Sequence, residues 1–258
     1  DLLSRDADLE AMREFCSSNP ADLTEPLQAN SITAIFSPRR RSSMLDWYGK
    51  SIDRAQQTVM LTSAFGVTER LARYFNNDRD YLRFLLMEKP NRNAETQAML
   101  ERDRDTRIAV GPHLNRDAVA LGLEGAGLDL WLRERHYRDR NGGHVFYVHT
   151  KIMAIDVLTD DPLIFSGSAN FSPPSLLSND ENMLLIRGDK RVADVYLTEF
   201  FRLFNHFYFR YVAQEAAKRG SGGIEEVPFL EDTDAWSRDA YRPGRYHCRR
   251  RELFGVPA

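Results

Sequence analysis

His149, Lys151, Ser168 and Asn170 are the residues of this chain whose types and spacing point to chemistry. They lie in two short runs. One is His149-Thr150-Lys151, with Asp156 after it; the other is Gly167-Ser168-Ala169-Asn170. Together they offer an imidazole, an ammonium, a hydroxyl and a carboxamide to a single phosphate. Lys151 supplies a point charge for the non-bridging oxygens. Ser168 and Asn170 supply oriented donors, which matter more as charge redistributes in the transition state. A neutral imidazole is a competent nucleophile towards phosphorus, and covalent attack by His149 splits one hard step into two easier ones. Such a set needs no metal. Chemistry of this kind normally needs two histidines, and the pattern occurs once.

A nucleophilic imidazole needs its second nitrogen held by an acceptor, which fixes the tautomer and stabilises positive charge. Asn179-Asp180-Glu181 is the nearest acidic cluster in sequence. Glu181 opens the next strand and is the candidate for the orienting role. Asp156 has the opposite strand parity to Lys151, so a structural hydrogen bond or salt bridge is expected of it.

The elements that must position these residues can be read from periodicity. Residues 1–30 read as a helix and then a loop, broken by Pro20 and Pro26. Residues 32–36 read as a strand. Ser43-x-x-Asp46 suggests a capping box ahead of a helix whose Leu45, Tyr48, Ile52 and Ala55 share a face. Strands at 58–62, 81–87 and 106–110 then alternate with helices at 67–76 and 93–103. That alternation predicts parallel strands joined by crossover helices. Residues 111–143 are hard to read. His144 to Ile155 reads as one long strand, with His149 and Lys151 on the same side of it. Leu163 to Ser166 is its hairpin neighbour across Thr159-Asp160-Asp161-Pro162, and Met183 to Ile186 is a further strand. Asp189 is placed to cap a long helix with an apolar stripe from Val192 to Tyr211. Gly220-Ser221-Gly222-Gly223 is a flexible break before a tail of mixed charge. The organisation expected is an extension (1–30), a catalytic module (31–215) and a tail that packs on it (216–258).

Bulk properties limit the reading. The chain has 258 residues, 42% hydrophobic and 28% charged, with a net charge of −3. That suits an ordinary globular α/β domain and does not suggest a nucleic-acid binder as a whole. Arg39-Arg40-Arg41 and Arg249-Arg250-Arg251 are the local basic candidates, with solvated loop charge as the bland alternative. Cys16 and Cys248 have no metal-ligand spacing and are expected as unpaired thiols. With no signal peptide or membrane span in evidence, a cytoplasmic location is the slightly favoured one.

The order His-x-Lys, Asp, then Gly-Ser-x-Asn resembles the signature of the phospholipase D superfamily, matched here by His149, Lys151, Asp156, Gly167, Ser168 and Asn170. The run on to Asn179-Asp180-Glu181-Asn182 is similar to bacterial phospholipase D-like proteins, and the similarity covers roughly residues 32–212. The resemblance implies an α/β module with a mixed, largely parallel sheet sandwiched between helices. It implies a catalytic set of His149, Lys151 and Asp156, with phosphate held by Lys151, Ser168 and Asn170, and neither metal nor cofactor. In that family one motif histidine attacks phosphorus and a second protonates the leaving oxygen.

No other histidine of this chain is followed two residues later by lysine. His136-Tyr137-Arg138 is the closest imitation. The partner implied is a second motif, from a homodimer or from an N-terminal half that a longer protein would carry. The start at Asp1, mid-sequence in character, points towards the longer protein. Three functions remain open: a phosphodiesterase acting on phospholipid head groups, a nuclease using the same chemistry, and a silent module that binds phosphorylated ligands or a partner half.

Overall fold

A computed structural model describes residues 2–19, 28–76, 79–111, 148–218 and 233–255. Seven strands form one sheet: β1 (Ser31–Ser37), β2 (Thr58–Ser63), β3 (Leu82–Met87), β4 (Thr106–Val110), β5 (Ile152–Ile155), β6 (Leu163–Gly167) and β7 (Glu181–Arg187). Their spatial order is β1-β7-β6-β5-β2-β3-β4. The described helices are α1 (Leu2–Ser18), α2 (Ser43–Asp53), α3 (Glu69–Phe75), α4 (Ala94–Arg102), α5 (Pro173–Leu177), α6 (Lys190–Lys218) and α7 (Tyr246–Phe254).

The sheet is mixed, as expected, but it is not largely parallel. Only β2–β3 and β3–β4 pair in parallel; β1–β7, β7–β6, β6–β5 and β5–β2 pair antiparallel. The cause lies in the connections. The crossover helices α3 and α4 carry the chain back to start β3 beside β2 and β4 beside β3. The turn at Thr159 to Pro162 cannot do that, so β6 returns alongside β5, as the turn chemistry predicted. Strand β1 does not pair with β2 across α2. It closes the far edge against β7, with Ile35 opposite Met183.

Each face of the sheet carries its own core. On one side α2, α3 and α4 bury Tyr48, Ile52, Leu71, Phe75 and Leu100 against Leu61, Leu85, Met153 and Phe165. On the other, α6 lays Phe200, Phe204 and Phe207 over Met60, Phe84, Ala154 and Ile164. Asp189 caps α6 as expected, accepting the Val192 N–H at 3.0 Å. Val195 of the predicted stripe is 66% exposed, because it borders an open cleft and not the packed core.

The capping box does not form. Helix α2 is preceded by Ser42, whose side chain makes no capping bond, and Asp46 instead pairs with Arg70 of α3. Both ends of the described chain dock on the sheet module. Arg39 is buried and donates to the Ser17 and Asn19 carbonyls at the end of α1. Phe254 of α7 lies against Phe84 and Phe201. Cys16 and Cys248 are both buried and unpaired, as expected. Among the described residues no helix is long and apolar enough to cross a membrane.

Candidate active site

Strand register assembles the site. Ile152 of β5 pairs with Ser166 of β6, so Lys151, one residue earlier, comes level with Gly167. Gly167 pairs with Met183 of β7, which brings Ser168 level with Asn182 and close to Glu181. Antiparallel pairing of β5 with β2 puts this end of the sheet at the carboxyl ends of β2 and β3. His149, Thr150, Lys151, Ser166 and Gly167 line an open cleft of about 410 Å³, walled on the other side by Val195, Tyr196 and Glu199 of α6.

The long strand predicted from His144 is shorter in the structure. It begins at Ile152, and residues 148–151 form an irregular arm before it; residues 144–147 lie outside the described residues. Side-chain bonds take the place of the ladder here. Thr62 Oγ1 accepts the Ile152 N–H and donates to the Thr150 carbonyl, both at 2.8 Å. Glu88, a buried carboxylate just after β3, accepts the Val148 N–H at 2.8 Å. Sequence reasoning missed both residues. Thr62 sits inside an ordinary apolar strand pattern, and the one local sign of Glu88 is a carboxylate closing an apolar run.

His149 is exposed to the cleft. Lys151 is buried, and its ammonium donates to the His149 carbonyl at 2.6 Å. Burial lowers the Lys151 pKa, and the Glu181 carboxylate nearby works against that shift. Glu181 also accepts from the Asn179 side chain at 3.1 Å.

Gly167 allows β6 to lie against β7: a Cβ there would stand 2.2 Å from the Asn182 carbonyl oxygen. Ser168 is bound to the same residue. Its N–H donates to the Asn182 carbonyl at 2.8 Å and its Oγ accepts the Asn182 N–H at 3.0 Å. The Asn170 amide donates to Ser175 Oγ at 3.4 Å, while its Oδ1 is buried without a hydrogen-bond partner.

Asp156 does not join this group. It sits at the opposite end of β5, and its carboxylate accepts the backbone N–H groups of Gln56, Gln57 and Thr58. The catalytic placement implied by resemblance gives way to the structural bond its strand parity suggested.

Histidines 113, 136 and 144 lie outside the described residues. His206 on α6 and His247 on α7 do not line the cleft, so no second imidazole reaches it among the described residues. Nor is any group of three or more His, Cys, Asp or Glu there placed to hold a metal ion. Several residues of the arginine runs make structural contacts. Arg40 pairs with Glu14, Arg249 with Asp80 and Asp105, and Arg251 reaches the Ala240 carbonyl.

A family model described as cardiolipin synthase, PLD-like domain, matches residues 50–204, more than half of the chain. No curated protein sequence matches. Among solved structures, NucT from Helicobacter pylori is similar over 68% of this chain and 96% of its own, at 15% identity and a TM-score of 0.48. The phospholipase D family member Nuc from Salmonella typhimurium is similar over 68% and 95%, at 14% identity and a TM-score of 0.46.

Proposed function

The chain belongs to the phospholipase D-like family, and on that footing we propose that it cleaves phosphodiesters through His149, without a metal. The observation that carries this reading is the register of β5, β6 and β7. It brings His149, Lys151 and Gly167 to one cleft, with Ser168 and Glu181 at the adjoining ends of β6 and β7. An imidazole nitrogen of His149 bonds to phosphorus while the bond to the leaving oxygen breaks. The leaving oxygen takes a proton from a second imidazole. Water then cleaves the phosphohistidine and returns the proton. In the reverse arrangement of a shared site, His149 is the acid for its partner. Lys151 turns from the His149 carbonyl to the non-bridging oxygens. Ser168 and Asn170 donate to the same oxygens, and Glu181 holds the charged pair of His149 and Lys151 in place.

The second imidazole comes from a second copy of this chain or from a preceding half of a longer protein. Two substrate classes fit the cleft. Its open shape, with His149 and Ser168 exposed, admits the continuous backbone of DNA or RNA. The exposed apolar side chain of Val195 in the cleft wall suits a phospholipid, as does the cardiolipin synthase description of the family model. Among the cleft-lining residues Lys151 is the cation available to a nucleic-acid phosphate.

The test is a substrate panel in EDTA: single- and double-stranded oligonucleotides beside phosphatidylcholine and phosphatidylglycerol vesicles, each with and without added ethanol. Oligonucleotide cleavage weakened by salt supports a nuclease. Phosphatidylethanol formation supports the lipid reading. A labelled phosphoryl group left on the wild-type protein after a denaturing quench, and absent from His149→Ala, supports the covalent step. A well-folded dimer inert on the whole panel leaves only the silent binding module.

A further inference from the structure

We propose that Thr62 and Glu88 are positioning residues: from two neighbouring strands they clamp the arm that carries His149 and Lys151, and so set the reactivity of His149. This inference rests on the phosphodiesterase reading and adds two residues to it.

Residues 148–151 precede β5 and make no ladder bonds of their own kind. An arm like that has many conformations, and an attacking imidazole has one useful direction. A displacement near 1 Å costs about 10²-fold in rate. Something outside the arm must fix it, and the structure supplies two points on either side of His149. Glu88 Oε2 holds the Val148 N–H at 2.8 Å, immediately before the histidine. Thr62 Oγ1 holds the Thr150 carbonyl at 2.8 Å, immediately after it, and the Ile152 N–H at 2.8 Å beyond that. The two anchors are themselves adjacent, because the Glu88 N–H donates to the carbonyl of Ser63, the residue after Thr62. The residues on both sides of His149, Val148 and Thr150, are therefore tied to one corner of the sheet.

Both anchors are buried, Thr62 completely and Glu88 to within 1%. A carboxylate in that position is an expensive way to end a strand, since burying charge is unfavourable unless it is well bonded. Its return is a charge-assisted bond, shorter and stronger than a neutral acceptor gives. The hydroxyl of Thr62 has the matching property that valine, of nearly equal size, lacks: it accepts from the first residue of β5 and donates to the arm.

The test compares wild type with Thr62→Val, Thr62→Ser and Glu88→Gln. It reads steady-state hydrolysis of bis(p-nitrophenyl) phosphate and the imidazole nitrogen NMR signals of His149. In folded Thr62→Val, kcat is expected to fall about 10- to 100-fold with KM within about twofold, as misplacement of a reacting group requires. The His149 signals shift or broaden, and Thr62→Ser restores most of kcat. Glu88→Gln fills the same space with a weaker acceptor; should Thr62→Val fail to fold, it carries the test through a smaller fall in kcat and displaced His149 signals. Unchanged kcat and unchanged His149 signals in the folded variants overturn the clamp. An inactive wild type overturns the phosphodiesterase reading instead, and the NMR arm still decides whether Thr62 and Glu88 fix His149.

Discussion

The carboxylate of Asp156 receives the backbone N–H of Gln57 at 2.8 Å, and through it the start of β2 is fastened to the end of β5. Gln56 and Thr58 donate to the same carboxylate. Asp156 itself adopts a left-handed backbone, φ 52°, which aspartate and asparagine tolerate better than most residues. One acidic residue therefore aligns the two strands whose other ends hold Thr62 and the His149 arm.

The consequence is a stability effect at a position that the motif would suggest is catalytic. Asp156→Ala leaves three backbone donors without their acceptor, at a cost of about 2–4 kcal/mol. Asp156→Asn keeps the backbone preference and one acceptor, at about 1 kcal/mol or less. Urea unfolding measures both. Activity of the folded fraction is expected to survive in Asp156→Asn.

Gly167 is fixed by space. A methyl group there would meet the Asn182 carbonyl oxygen at 2.2 Å and the Met183 Cα at 2.7 Å, both backbone. Gly167→Ala must push β6 away from β7, at about 1–3 kcal/mol. The same displacement moves Ser168 from its bonds to Asn182, so activity falls further than the stability loss explains. Thermal melting and hydrolysis rates on the same sample separate the two.

Lys151 sets an alkaline limit. Burial lowers its pKa, so the ammonium is lost at a lower pH than a free lysine would lose it. The phosphate-binding charge disappears with it, and kcat/KM falls on the alkaline side below the usual lysine range. The linkage has the opposite sign. Across the window between the lowered folded pKa and the ordinary unfolded one, the unfolded chain binds more protons, so the Lys151 contribution makes stability rise with pH. Paired pH profiles of activity and of urea midpoint check both signs; Lys151→Arg, which keeps its charge, loses the alkaline limb.

A site shared by two copies has a stoichiometric signature. When wild type and His149→Ala are unfolded and refolded together in equal amounts, about a quarter of the dimers carry two intact histidines, if pairing is random. Activity per total protein then falls to about a quarter. Independent sites retain about half. If the second imidazole belongs to a preceding half of a longer protein, the mixture follows the independent line.

The site was more legible than the sheet. His149, Lys151, Gly167, Ser168 and Glu181 could be grouped from sequence because a hairpin and the next strand bring them level, and short connections have few geometries. The alternation from β2 to β4 was legible for the same reason. The pairing of β1 with β7 was not, since it joins residues some 150 apart, such as Ile35 and Met183, and nothing local encodes it. Strand parity read Asp156 correctly where the motif did not. Glu181, the proposed orienting partner of His149, also accepts from Asn179 and opposes the lowering of the Lys151 pKa, two ties the sequence did not suggest. Glu88 and Thr62 escaped because a buried acceptor carries no periodic signal.

The most direct test of the central claim is hydrolysis of bis(p-nitrophenyl) phosphate in EDTA by wild type and His149→Ala, with oligomeric state measured on the same samples. The account expects EDTA-resistant hydrolysis by an assembled wild type and a fall of about 10³-fold or more in an equally assembled variant. Hydrolysis that survives the substitution, or that disappears in EDTA and returns with a divalent metal, would contradict it.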